Sequence, residues 1–262
     1  MVIRVLKILV PNSARVMFRE IHRKSNAERF GIDQFLQSVS ISVKPSDRVL
    51  DAGAGGRDYR NYFSHARYES TDITARFDRA GEHHTFISEL HHIPVADNSY
   101  DVVVNTQVLE HVEFPQVVIN EFHRILKPNG RLLLTTPQSW GIHMAPYHFF
   151  NFTRYGLESL FRNAHFAIEM VKPNGGIFWN LAKIISKLPR YLYHDCQVRH
   201  PKTALLLRPV YWVTRPFFEF ALPLILFYLD SLDRNQGWTI GYLCCCRKAA
   251  EPSGPSSMET AQ

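Results

Sequence analysis

The sequence predicts an α/β fold built on a mostly parallel sheet, and three observations carry that expectation. First, Val49-Leu50-Asp51-Ala52-Gly53-Ala54-Gly55-Gly56-Arg57 is an apolar run that ends in a carboxylate and passes into glycines, where the backbone can turn sharply and approach a ligand that a Cβ would exclude. Second, a strand candidate closes on Asp72, roughly twenty positions after Asp51, the place where a βαβ nucleotide fold sets an acid against ribose hydroxyls. Third, short apolar runs alternate with helical patterns, as buried parallel strands and their crossovers do.

Taken in order, the strands are predicted over 48–52, 67–73, 83–88, 100–105 and 131–136. Helices are predicted at 13–24 and 27–39, with a polar and aromatic helical segment over 58–65. Residues 114–126 carry Val117, Val118, Phe122, Ile125 and Leu126 at helical spacing with Pro115 in the first turn, and Lys127-Pro128-Asn129-Gly130 reads as the turn that stops them. Thr153 is the expected cap of a helix over 154–162, followed by a strand over 166–171 and a last strand over 238–247. Asp51, Asp72, Glu89 and Asn105 all fall at the carboxyl ends of strands, where open α/β sheets bind their ligands. The pyrophosphate fingerprint is absent, since Gly53, Gly55 and Gly56 are followed by Arg57 and Asp58. A ligand with ribose but no pyrophosphate fits the loop better than a dinucleotide.

Five blocks stand in register: Asp51-x-Gly53-x-Gly55; Asp72; Glu89 with Ile93-Pro94 and Asp97-Asn98-Ser99-Tyr100-Asp101; Leu109-Glu110-His111-Val112; and Leu126-Lys127-Pro128-Asn129-Gly130. Over residues 47–171 the chain thereby resembles class I S-adenosylmethionine-dependent methyltransferases of the type 11-like family. The resemblance implies a Rossmann-like sheet, mostly parallel with its last strand antiparallel, and S-adenosylmethionine as cofactor. It implies Asp51, Gly53, Gly55, Asp72, Glu89 and Asn105 as cofactor-binding residues, with Glu89 accepting from the adenine amino group. The domain organisation expected is a helical cover over 1–46, a cofactor core over 47–171, an insertion over 172–237, the last core strand over 238–248 and a disordered tail over 249–262.

Methyl transfer from a sulfonium is an in-line displacement from an already activated donor, so the enzyme supplies alignment and exclusion of water, plus a base when the acceptor is a hydroxyl. His111, His148 and Glu110 are the catalytic candidates, with His143 a further imidazole and Tyr147 an orienter. Some methyltransferases that resemble this chain place Glu-x-x-Glu-His here and bind a divalent ion. Gln107 replaces the first Glu, so no metal is expected, although Glu110, His111 and His148 could form a weakened site. The stretch 146–157, with Pro173-Asn174-Gly175-Gly176 later, resembles methyltransferases of surface-polysaccharide and lipid pathways. Together these features imply O-methylation of a small, lipid-linked or sugar acceptor. The alternative is a non-catalytic protein that keeps the fold as a membrane- or partner-binding module.

Bulk composition narrows the partners. Of 262 residues four are cysteine, Cys196 and Cys244 to Cys246, with neither metal nor disulfide-framework spacing, which points to a reducing compartment and a cytoplasmic protein. The formal charge of +6 concentrates in 172–237, where nine Lys or Arg face four acids, and the nearly neutral core argues against a nucleic-acid partner. Residues 1–10 lack the unbroken apolar run of a signal peptide and read as a short amphipathic helix. Residues 203–229 are strongly apolar but interrupted by Arg208, Arg215, Glu219 and three prolines, so helical segments are expected there rather than one spanning helix. Peripheral contact with the cytoplasmic face of a membrane through 203–229 and a protein-packed lid or dimer surface are both open readings.

Overall fold

The computed structural model describes residues 20–56, 59–73 and 84–250. The expected helix over 1–10, the start of that over 13–24 and the tail beyond 250 lie outside them. The chain divides into two compact units, Leu36–Lys172 with the chain from Tyr242 on, and the chain up to Phe35 with Pro173–Gly241. This division falls at Phe35/Leu36, inside helix α1 (Ala27–Ser40), rather than at the sequence boundary after residue 46.

The larger unit holds a seven-stranded sheet. Its strands are β1 (Arg48–Ala52), β2 (Arg67–Asp72), β3 (Phe86–Ile87), β4 (Tyr100–Thr106), β5 (Leu126–Pro137), β6 (Phe166–Pro173) and β7 (Gly241–Lys248), in the spatial order β3-β2-β1-β4-β5-β7-β6. Pairings β1 with β2, β1 with β4, β2 with β3 and β4 with β5 are parallel. The last strand, β7, is the antiparallel one. β1 has β2 on one side and β4 on the other, so the order reverses at β1, and the crevice beyond its carboxyl end is where such sheets bind ligands.

Helix α2 (Pro115–Ile125) starts with Pro at its first turn and buries Val118, Ile119, Phe122 and Ile125 against the sheet; each such side chain contributes roughly 2 kcal/mol of apolar burial. Its carboxyl end is closed by Lys248 from β7, whose Nζ donates to the carbonyls of His123 and Leu126 and to Asn98 Oδ1, each at 2.8 Å. A buried ammonium on the last carbonyls opposes the negative end of the helix dipole. Helix α3 (Arg154–Asn163) is capped by Thr153, whose Oγ1 accepts from the Gly156 N–H at 3.1 Å, as the sequence predicts. Cys244, Cys245 and Cys246 are buried on β7 as small core side chains. Burial pushes the Cys245 thiol up to about 12, and it donates to Glu169.

The structure corrects four expectations. The segment over 58–65 forms only a 3₁₀ turn at Arg60–Tyr62 among the described residues, because a stretch of this length has too few hydrogen bonds to offset helix nucleation; Tyr59 and Phe63 still bury as its spacing implied. The third strand shrinks to Phe86–Ile87. Helix α2 ends at Ile125, just before 127–130 as expected, but these residues bulge from β5, which begins at Leu126 rather than 131: Tyr100 pairs with Leu126 and Val102 with Arg131, with Asn129 at φ 64°. The last strand begins at Gly241, since Thr239 turns its hydroxyl onto the Gly241 carbonyl at 2.9 Å and Trp238 stays exposed.

The second unit is helical. It contains the first part of α1, then α4 (Ile177–Arg199), α5 (Pro201–Pro216), a π turn at Phe217–Ala221 and α6 (Leu222–Leu229), closed by a 3₁₀ turn at Asp230–Leu232. Buried Asp230 caps α4, accepting from the N–H groups of Gly176 (2.8 Å) and Trp179 (3.0 Å), while Asp233 accepts from Ile177 (2.8 Å). Trp179 stacks on Phe227 with centroids 4.9 Å apart and donates its indole N–H to the Phe227 carbonyl. Glu28 of α1 pairs with Lys183 of α4 at 2.9 Å, both largely buried. The expected breaks at Pro209, Pro216 and Pro223 are absent: helix continues from Pro201 to Leu232. A widened π turn, with the Leu222 N–H on the Phe217 carbonyl, lies between Pro216 and Pro223.

Candidate cofactor and methyl-transfer site

The larger unit builds the site from the carboxyl ends of β1, β2 and β4. Asp51, next to the end of β1, is fully buried, and Tyr68 of β2 donates its hydroxyl to Asp51 Oδ2 at 2.6 Å. The chain then turns through Gly53 at φ 79°, where a Cβ would lie 2.7 Å from Val108, and Gly55 at φ 55°, where a Cβ would meet nothing within 4 Å. Gly53 fixes the turn against the protein, whereas Gly55 keeps the backbone bare on an open side. The N–H groups of Gly53 and Ala54 donate to the Thr71 carbonyl at 2.9 and 3.1 Å, so the loop is laced to β2.

Asp72 completes that lacing. Its Oδ2 accepts from the Gly55 N–H at 2.9 Å and its Oδ1 from the Ile73 N–H at 2.8 Å. A carboxylate has about four acceptor positions, so two remain for a cis-diol. Asn105, at the end of β4, is fully buried and donates Nδ2 to the Ala52 carbonyl at 2.8 Å, clamping the end of β1; its Oδ1 is buried with no partner. The open space at Gly55, the acceptor capacity of Asp72 and the leftover Asn105 acceptor fit a ribose-bearing, pyrophosphate-free ligand. Glu89 is exposed and pairs with His91 at 3.2 Å, on the segment after β3.

Arg124, which the sequence reading missed, holds the chain that follows Glu89. It donates to Glu121 (2.7 and 2.8 Å), Asp97 (2.6 Å) and the carbonyls of Ile93 and Val95, while Glu121 accepts from the Ile93 N–H at 2.7 Å. Burial raises and Arg124 more than offsets the Glu121 pKa, which lies below the usual carboxylate range. An Arg three positions after a Glu inside a helix was the only signal, and it is common on solvated faces.

After β4 the chain brings Glu110, His111, His143 and His148 together. Glu110 is buried, accepts from Thr136 Oγ1 at 3.4 Å, and lends its carbonyl to the N–H groups of Phe149 and Phe150. Ring centroids lie 4.8 Å apart for His111 and His143, 4.3 Å for His143 and His148, and 5.8 Å for His111 and His148. His111 Nδ1 bonds the Tyr147 carbonyl; since a carbonyl only accepts, Nδ1 carries the proton and Nε2 is the basic nitrogen of the neutral ring. Burial lowers the His111 pKa, the Tyr147 carbonyl opposes that, and His148 lowers it further. His148 Nε2 is buried with no partner. Glu110, His111 and His143 offer ligand atoms within 4.8 Å of one another, a set that could hold a divalent ion, so His143 takes the place that the sequence reading gave to His148. Gln107 turns its amide onto Thr135 Oγ1 at 3.3 Å.

Comparison with known proteins agrees with the fold. Residues 50–134 match the family model described as a methyltransferase domain. A Mycolicibacterium smegmatis protein named "Probable S-adenosylmethionine-dependent methyltransferase" is 32% identical over 103 residues, covering 37% of this chain and 39% of that protein. A malonyl-[acyl-carrier protein] O-methyltransferase of Hahella chejuensis is 28% identical over 116 residues, covering 40% of this chain and 41% of that one. The chain spans less than half the length of the curated relatives it matches. A structure designated a sarcosine dimethylglycine methyltransferase from Galdieria sulphuraria aligns at TM-score 0.51 and 15% identity over 85% of each chain, a likeness of fold. The larger unit has a Rossmann-like fold, shared with that structure. Residues 50–134 match a methyltransferase domain and are similar in sequence to a protein named for S-adenosylmethionine-dependent methyl transfer.

Proposed function

We propose that the chain is an S-adenosylmethionine-dependent methyltransferase that methylates an oxygen of a small, lipid-linked or sugar acceptor. The observation that carries the reading is His111, held neutral by burial and presenting Nε2 as base because Nδ1–H is committed to the Tyr147 carbonyl. The cofactor, when bound, supplies an activated methyl on a sulfonium. Asp72 and the Gly53–Gly55 loop hold its ribose side, and Asn105 keeps the end of β1 in place. With the methyl donor bound, His111 Nε2 would take the acceptor hydroxyl proton, and the overall products would be a methyl ether or ester, S-adenosylhomocysteine and an imidazolium. Glu110, 3.9 Å from His111 Nε2, stabilises that imidazolium. One curated relative is named an O-methyltransferase and two are named C-methyltransferases, so the choice of oxygen rests on His111 and not on the relatives.

The test is transfer of labelled methyl from S-adenosylmethionine to a panel of hydroxyl, carboxyl and amine acceptors, including lipid extracts and glycolipids. Transfer to oxygen that falls at least a hundredfold in His111→Gln supports the reading. Transfer only to nitrogen or carbon, or a rate unchanged in His111→Gln, overturns it.

A further inference from the structure

A water-soluble helix turns its apolar stripe inward and its charges outward. The helix from 201 to 232 buries Ala204, Pro223 and Leu226 and exposes Lys202 and Arg208, but over 209–229 its outward side is apolar. Over that stretch the helix pairs Glu219, only 12% of whose side chain is exposed, with Arg215 at 2.8 Å and with Arg190 of α4 at 2.9 Å. Its outward positions from 209 to 229 bear no charge and include Val210, Trp212, Val213, Phe217, Phe220 and Ile225; Val213 is 79% exposed. The stretch 209–229 as a whole extends about 30 Å, the thickness of a bilayer's hydrocarbon. Charges paired toward the helical packing with apolar groups facing out are the arrangement of a lipid-facing helix.

One end of that face is basic. Lys202 and Arg208 are exposed, beside a cleft of about 510 Å³ lined by Tyr193, Leu205, Arg208, Tyr211 and Trp212. Tyr193 and Tyr211 stack with centroids 4.4 Å apart, so aromatic walls stand next to a guanidinium. Amphipathic aromatic rings and snorkelling cations are what the head-group layer favours.

We propose that this face is a docking surface for an anionic lipid bilayer: the outward side of 209–229 enters the acyl region, and Lys202 and Arg208 meet head-group phosphates, Arg208 at the cleft. The inference stands on the helical unit alone and is independent of methyl transfer. The occupant is lipid rather than a second copy because the length of the uncharged outward side matches the hydrocarbon layer and the cations sit at its end. The cytoplasmic leaflet, with its anionic lipids, is the matching surface.

The test is flotation of the full chain with phosphatidylcholine vesicles containing or lacking phosphatidylglycerol, with light scattering to report self-association and tryptophan quenching by brominated lipid. Expected are flotation with phosphatidylglycerol vesicles, weakened by salt, and quenching that falls in Trp212→Phe. Val213→Asp combined with Phe217→Asp is expected to cut flotation at least tenfold with the circular dichroism spectrum unchanged. Lys202→Glu with Arg208→Glu is expected to remove the preference for phosphatidylglycerol. Should the double Asp variant misfold, the quenching comparison of the parent with Trp212→Phe decides. No flotation with either vesicle, quenching indifferent to Trp212, or a lipid-free dimer dissolved by the Asp pair overturns the proposal.

Discussion

Asp72→Ala tests the cofactor site most directly, because Asp72 has two separable jobs. Its two oxygens hold the Gly55 and Ile73 N–H groups at 2.9 and 2.8 Å, and its two further acceptor positions are assigned to ribose hydroxyls. Net loss for a hydrogen bond to a charged group is about 1.5–3 kcal/mol, so losing two ribose contacts costs about 3 kcal/mol at the lower end, roughly a hundredfold in Kd. Slackening of the Gly55 loop adds to that, since the Gly55 N–H must find water instead. Asp72→Asn keeps one acceptor oxygen and is expected to lose about tenfold. Titration calorimetry with S-adenosylmethionine and S-adenosylhomocysteine reads both, with circular dichroism confirming that the sheet remains. If Asp72→Ala binds either ligand within threefold of the parent, the ribose assignment is wrong and the loop is only structural.

Three further outcomes are expected. Gly53→Ala, with a Cβ 2.7 Å from Val108 at φ 79°, is expected to cost about 2–4 kcal/mol of stability in denaturant titration, while Gly55→Ala costs about 1–2 kcal/mol of backbone strain but weakens cofactor binding; equal melting of the two would contradict the division of roles. His111 has a depressed pKa, so the neutral base survives below the ordinary histidine value of 6.5: kcat/KM is expected to fall only as pH drops below that value, and an acid limb at or above 6.5 would reject His111 as the base. By the same linkage the unfolded chain binds this proton more readily, so stability falls as pH drops from about 6.5 through the folded-state pKa. Arg124→Ala removes the partner of Glu121, only 9% exposed, and is expected to destabilise by about 2–3 kcal/mol; Arg124→Lys should recover little, because a lysine cannot make the same fork.

The sequence by itself determined the sheet and the cofactor loop. Strand and glycine signals are local: an apolar run, a carboxylate and residues that tolerate positive φ must be adjacent in the chain, so β1, Gly53, Gly55 and Asp72 were legible before any coordinates. So were the Thr153 cap and Pro115 in the first turn of α2, each set by its neighbours within one turn. Long-range partners were not legible. Tyr68 on Asp51, Asn105 on Ala52, Lys248 on the end of α2 and Arg124 across 93–97 join residues far apart in sequence, and no periodicity records which distant atoms meet. The imidazole cluster shows the same limit: three histidines spread over 111–148 have no common spacing, and only the return of the chain past Glu110 brings the rings within 4.3–5.8 Å. The helical unit shows it most plainly. Composition recorded apolar residues, prolines and charges in 201–232, but not which side faces outward; that was decided when Glu219 gathered Arg190 and Arg215 on the packed side and left the apolar side exposed.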